Sequence, residues 1–235
     1  MNKLIIFTHI PKTSGTSFMR TVVEPNILYS SIYRYRHISN FIHDNLKQYT
    51  VVAGHVPYGL HHFTNRKVEY ITFLRDPIDR AVSFYYFIKA ADKNIYKHPI
   101  RDYADSVTLK EFYENRKFQN QQTRFIAGFF SDRLYPIISH TTLEKQILKS
   151  AINNIKNNYT CFGILEEFEK SIAIFQKKFG WKETVKVAPQ KRTGKRPKIS
   201  ELDHETLQSL RQNNSLDLQL YEFACKHFDE QYLKS

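Results

Sequence analysis

Cysteine is scarce in this sequence. Cys161 and Cys225 stand among apolar neighbours and lack the paired spacing of a metal site, so a disulfide framework is excluded and both read as core residues of a reducing compartment. No metal is implied. Long apolar runs are also missing: only Lys3 precedes the stretch Leu4 to Ile10, which is too short and too soon interrupted for a secretory signal or a membrane span. The expected compartment is therefore the cytoplasm. Acidic residues are outnumbered, 23 Asp and Glu against 35 Lys and Arg, giving a formal charge of +12. Such an excess points to a polyanionic partner, whether nucleic acid, acidic glycan, anionic lipid surface or phosphorylated cofactor, without choosing among them. Repeats, low-complexity segments and linkers are absent too, so 235 residues with 41% hydrophobic content read as one α/β domain over 1–235 with a large core.

What is present begins with Leu4-Ile5-Ile6-Phe7-Thr8-His9-Ile10, a buried-strand pattern that runs into Pro11-Lys12-Thr13-Ser14-Gly15-Thr16-Ser17, with helix-compatible sequence from Phe18 to Val23. A strand that breaks into a Lys, Gly and hydroxyl loop before a helix suits phosphate. Backbone N–H groups of the first helical turn lack intrahelical acceptors, and the macrodipole favours an anion there. Gly15 permits close approach, the hydroxyls of Thr13, Ser14, Thr16 and Ser17 add donors, and Lys12 adds a charge that can follow a leaving group. The loop is not a Walker A motif: Lys12 precedes its one glycine, and no Mg²⁺-binding carboxylate motif follows. An ordinary strand-to-helix turn with a hydroxyl cap fits the loop about as well.

Further along, Glu24 to Asn45 is aromatic and polar without a clear period and is expected to be irregular, near a binding face. Tyr49 to Gly54 forms a second strand and delivers His55, followed by His61 and His62. Ligands of open α/β sheets lie beyond the carboxyl ends of the strands, where His9, Lys12 and His55 converge. A lone histidine also commonly serves structure alone. Val68 to Leu74 is the third strand, and Arg75-Asp76-Pro77 leads into a helix to about Ala90 with Ser83 two turns in. Arg75 and Ser83 can pinch one phosphate; alternatively Arg75 pairs with Asp79 or Asp76 and Ser83 is merely exposed.

Three segments in this order, HIPKTSGTSFMR, GHVPYGLHHF and YITFLRDPIDRAVSFYYF, resemble the sulfotransferases that use 3′-phosphoadenosine 5′-phosphosulfate, and in particular the heparan and dermatan/chondroitin uronyl 2-O-sulfotransferases. The resemblance covers the first ninety or so residues closely and returns more loosely at Tyr159 to Phe168 and in the last forty. It implies the sulfotransferase fold, a P-loop-like domain with a central, mainly parallel sheet flanked by helices. It further implies a loop from Lys12 to Ser17 that binds the 5′-phosphosulfate, Arg75 and Ser83 on the 3′-phosphate, His55 as catalytic base and Lys12 as its catalytic partner. The desulfated 3′,5′-bisphosphate is the implied product, and a glycan hydroxyl the implied acceptor, with no nucleic acid partner expected. The 2-O-sulfotransferases carry a second histidine two positions before the base, where this chain has Ala53.

Beyond the third strand's helix, Asp92 to Val107 reads as a polar loop, and Thr108 with Glu111 forms a capping box that opens a helix to about Lys117. Gln119 to Ala127 reads as a helix whose Asn120, Gln121, Gln122 and Arg124 face either an acceptor or solvent. A helix from Thr141 to about Asn153, a fourth strand over Tyr159 to Ile164, and a core stripe of Phe168, Ile172, Phe175 and Phe179 follow. Val187 to Lys198 is a basic loop, and by resemblance Arg192, Thr193, Gly194, Lys195 and Arg196 close over the nucleotide; a nucleic-acid patch is its other reading. Helices over Ser200 to Arg211 and Ser215 to Phe228 end the chain. Two rival functions remain: a small-molecule kinase, which requires Mg²⁺ and ATP, and a basic binding module, which shows steep salt dependence and no nucleotide pocket.

Overall fold

A computed structural model describes residues 3–90, 98–138, 141–185 and 196–234. Its centre is a sheet of strands β1 (Leu4–Thr8), β2 (Ile32–Arg34), β3 (Val51–Gly54), β4 (Val68–Leu74) and β5 (Tyr159–Ile164), in the order β2-β3-β1-β4-β5. Every pairing is parallel, as the alternation of strands and helices predicts. All five residues of β1 are buried, which is why its sequence is a continuous apolar run rather than an alternating one. β2 is the strand missing from the sequence reading. Three residues long, at the sheet edge, with Arg34 exposed, it has too little periodicity to announce itself.

Register decides which residues meet. Thr8 is paired with Gly54 on one side and Thr72 on the other, so the chain leaves β1, β3 and β4 at one end of the sheet, carrying His9, His55 and Arg75. The helix after β1 starts earlier than expected. It opens as α1 (Gly15–Phe18), continues through a π turn at Met19–Val23, and ends in α2 (Glu24–Asn26). The aromatic stretch after it holds the short helix α3 (Ile38–His43) besides β2.

Helix α4 (Pro77–Ala90) matches expectation and packs, with α5 (Arg101–Ser106) and α6 (Leu109–Glu114), into a second apolar cluster around Phe84, Tyr85 and Phe112. The stretch read as a polar loop, Asp92 to Val107, therefore contains α5; residues 92–97 of it lie outside those described. The Thr108–Glu111 capping box is formed in both directions. α7 (Gln121–Ala127) and α8 (Phe129–Leu134) follow, and α9 (Thr141–Asn157) outlasts its expected end. α10 (Phe168–Phe179) stops at Gly180, whose φ of 68° only glycine adopts without cost. α11 (His204–Asn213) and α12 (Ser215–Lys234) complete the layers, with Leu216, Leu220, Ala224 and Phe228 buried at helical spacing. No helix among the described residues is long and apolar enough to cross a membrane.

Candidate active site

The loop after β1 turns on two non-glycine residues in left-handed conformation, Lys12 at φ 69° and Ser14 at φ 70°. Each costs of the order of 1 kcal/mol or more, a strain found where a loop must hold a set shape. Thr13 sits between them, fully buried, with its hydroxyl donating to the Ile10 carbonyl at 2.9 Å. Its side chain is thus spent on the turn, and only its backbone N–H remains for a ligand. Ser14 makes no side-chain cap, and the first helical bond runs from Phe18 N–H to the Ser14 carbonyl at 3.0 Å. The N–H groups of Gly15, Thr16 and Ser17 accordingly have no intrahelical acceptor, and the half-buried hydroxyls of Ser14, Thr16 and Ser17 surround them. This donor set, with an ammonium beside it, fits a phosphosulfate.

His55 follows β3 and stands exposed at the centre of a tight turn closed by Val56 N–H on the Gly54 carbonyl at 2.8 Å. Its Nδ1 lies 2.7 Å from the carbonyl oxygen of His9. A carbonyl only accepts, so Nδ1 donates, and in the neutral ring Nε2 is then the basic nitrogen. The loop beyond it is pinned from beneath, where the Tyr70 hydroxyl accepts from the N–H of Gly59 at 3.2 Å and of His61 at 3.0 Å. His61 and His62 pack ring to ring, and no group of residues suited to a metal ion occurs among those described.

Lys12 and His55 are brought into one neighbourhood by residues that the sequence did not single out. The Lys12 ammonium rests 4.2 Å from the centre of the Phe87 ring. His98 packs edge-on against both Phe84 and Phe87, at 6.3 Å in each case. Burial pushes the His98 imidazole below its ordinary pKa, and the proximity of a second imidazole, His55, acts in the same direction. No spacing or period marks His98; it follows a polar stretch and reaches the site only through the packing of α4.

Arg75 realises the ion-pair alternative. Its Nε donates to Asp79 at 2.9 Å, its Nη2 pairs with the same oxygen, and its Nη1 donates to the Lys12 carbonyl at 2.9 Å. Arg196 meets the other oxygen of Asp79 at 2.6 Å. Burial by itself would raise the Asp79 pKa, but hydrogen bonding and charge from Arg196 and Arg75 outweigh it and hold the carboxyl below its ordinary value. Ser83 is buried, 4% exposed, rather than solvated. Asp79, Ser83 and Phe87 are spaced four apart on α4 and share one face, so the helix lays an anion, a hydroxyl and a ring along the loop. A cavity of about 560 Å³ opens beside Asp79 and Arg196, bounded by Pro197, Ile199 and Leu207. Of the loop residues expected over the nucleotide, Arg196 joins this picture; Arg192, Thr193, Gly194 and Lys195 lie outside the described residues.

Of the polar cluster Asn120, Gln121, Gln122 and Arg124, Gln121 is half-buried and the other three are turned into the core. Asn120, Gln122 and Arg124 are at most 5% exposed. Asn120 bonds Tyr135 at 2.7 Å and accepts from the N–H groups of Leu216 and Asp217. Gln122 exchanges two bonds with the Arg75 backbone, and Arg124 holds Asp132 at 2.8 Å. These side chains lock α7 to α12 and to the end of β4. Their partners lie as many as 97 residues away, which no local pattern discloses.

The chain matches the family described as the sulfotransferase family over residues 2–224. It is similar to heparan-sulfate 6-O-sulfotransferase 1 of Cricetulus griseus, 26% identical over 277 aligned positions that cover 97% of this chain and 68% of the relative. It is also similar to heparan-sulfate 6-O-sulfotransferase 3 of Homo sapiens, 27% identical with 73% and 40% covered. A third relative is heparan sulfate 2-O-sulfotransferase 1 of Xenopus laevis, 23% identical with 96% and 70% covered. The chain thus spans about two thirds of the length of several of these proteins, and the relatives include 6-O as well as 2-O enzymes.

Proposed function

The chain belongs to the sulfotransferase family, and from that premise we propose that it moves the sulfuryl group of 3′-phosphoadenosine 5′-phosphosulfate onto a carbohydrate hydroxyl, with His55 as base. Membership of an enzyme family disfavours the kinase and the non-catalytic binding module. What carries the assignment of the base is the bond from His55 Nδ1–H to the His9 carbonyl at 2.7 Å, because it fixes an exposed imidazole at the end of β3 with Nε2 as the basic nitrogen of its neutral ring.

In this reading the donor lies across the carboxyl ends of β1 and β4. The loop amides, Lys12 and the hydroxyls of Ser14, Thr16 and Ser17 take the phosphosulfate; Arg75, Ser83 and Arg196 take the 3′-phosphate. His55 Nε2 accepts the proton of the attacking hydroxyl as its oxygen bonds to sulfur. The bond from sulfur to the bridging oxygen breaks in line, and Lys12 neutralises the charge left on the departing phosphate. Lys12 reaches that oxygen by leaving the Phe87 ring, an exchange of a weak contact for a charge-assisted one. Arg75 and Arg196 similarly exchange a carboxylate for a phosphate.

The acceptor approaches from the β2 and β3 side. Tyr35 passes so close to Gly54 that its carbonyl would stand 2.7 Å from any Cβ there. Burial raises the Tyr35 phenol while the charge of Arg133 opposes it, so an arginine lies near a phenol whose backbone passes the end of β3. Together with exposed Arg36 and His37 they suit a sugar bearing carboxylate or sulfate. The relatives are named for heparan sulfate, and an acidic glycan agrees with the formal charge of +12. The cytoplasm belongs to the same proposal, on the strength of two free thiols, one of them buried; cell fractionation checks it.

The test is transfer of label from ³⁵S-donor to a panel of desulfated heparin, chondroitin, simple lipids and small alcohols. Label in polysaccharide is expected; label confined to lipid or small alcohols overturns the acceptor class, and no label with any acceptor overturns the activity.

A further inference from the structure

His9 touches both the donor loop and the base. On one side, a Cβ built on Gly15 would stand 2.0 Å from His9 Cδ2 and 2.2 Å from Nε2. Gly15 is not among the glycines of positive φ, which are Gly59, Gly128 and Gly180, so its backbone would accept alanine. What refuses a side chain there is the imidazole. That ring has little room to retreat, being stacked on Phe7 at 5.5 Å and 7°, and Phe7 is itself fully buried against Phe18. On the other side His9 meets His55 twice, ring to ring at 4.7 Å and through its carbonyl on His55 Nδ1–H.

We propose that His9 is a positioning residue that ties the phosphosulfate loop to the general base, and that position 15 is glycine to admit the His9 ring. The inference rests on the reading of His55 given above. Packed interiors respond to a displaced ring as a body, so a side chain at 15 pushes His9 toward His55 and misaims Nε2. Nucleotide binding is touched far less, because the loop amides remain.

The experiment is a double-mutant cycle of wild type, Gly15→Ala, His9→Ala and the double variant. Two quantities are measured: kcat for transfer of label to desulfated heparin, and calorimetric Kd for the 3′,5′-bisphosphate nucleotide. Gly15→Ala should lower kcat by about 100-fold, the scale of an ångström of misplacement. In the His9→Ala background the same change should cost less than about 3-fold, since the partners of a coupled pair are not additive. His9→Ala alone should lower kcat by about 10-fold with Kd held within about 2-fold, the mark of a group that acts on the reacting geometry rather than on binding. A Gly15→Ala chain that fails to fold while the double variant folds also supports the coupling. Equal cost of Gly15→Ala in both backgrounds, or wild-type kcat in His9→Ala, overturns it; should neither alanine-15 chain fold, the His9→Ala result decides alone. A wild-type protein that binds no nucleotide and transfers no label sinks the sulfotransfer reading itself, whereas an additive cycle in an active enzyme sinks only the role of His9.

Discussion

At His55, the proposed base, the hydrogen bond from Nδ1–H to the His9 carbonyl leaves Nε2 as the nitrogen to take a proton, and the cost of losing that nitrogen follows. A positioned base contributes ~10² to 10⁴ in rate, so His55→Ala should lose kcat on that scale while calorimetry finds the nucleotide bisphosphate bound as before. Arg75 behaves in the opposite way. Its guanidinium is held by Asp79 and the Lys12 carbonyl, at the proposed 3′-phosphate end. A charge-assisted hydrogen bond is worth about 1.5–3 kcal/mol, so Arg75→Ala should weaken the bisphosphate by about 10- to 100-fold in the same titration. Unchanged affinity would remove Arg75 from the nucleotide site. Of these residues the sequence discloses Lys12, His55 and Arg75, because each follows a strand whose apolar run is plain. It hides His9's ring contact, Phe87 and His98, whose roles arise from which helix face meets which loop.

Among the elements, α7 depends on a residue from α12. Asp217, fully buried, accepts from Gln122 N–H at 3.1 Å, from Thr123 N–H at 2.7 Å and from the Thr123 hydroxyl at 2.7 Å, with Arg80 4.0 Å away. It serves as a helix cap supplied from across the molecule. Removing one partner of a buried ion pair costs about 3–5 kcal/mol, so Asp217→Ala should lower the urea midpoint steeply. A loss below about 1 kcal/mol would show that Arg80 and the α7 amides find other partners. Elements whose stripe and cap are local, such as α4, α10 and the Thr108 capping box, are readable from the sequence with ends close to those observed. Sequence reading fails at β2, too short to show a period, and at α7, where polar residues suggest a wet face but fill a core. A buried Asn, Gln or Arg looks the same in sequence as a solvated one; only distant partners distinguish them.

Across the whole molecule, charge and proton uptake are coupled to folding. Burial first, and a neighbouring histidine second, push both His61 and His98 below the ordinary imidazole pKa. The unfolded chain therefore binds protons that the folded chain refuses. Stability is complete above the unfolded value near 6.5 and falls as pH drops through the folded values. Urea midpoints at constant salt should decline between about pH 7.5 and 5.5, and His98→Phe should flatten that slope. The carboxyl of Asp79, also depressed in the folded state, adds loss in the same direction only in more acidic solution. The strand order gives the sheet a watershed as well. β1 stands with β4 on one flank and β3 and β2 on the other, so under the proposed reading the slope toward β4 answers to a fixed nucleotide and the slope toward β2 to whatever alcohol is offered. A change of acceptor then calls for rewriting only the second slope, with its short edge strand, while the first stays as it is.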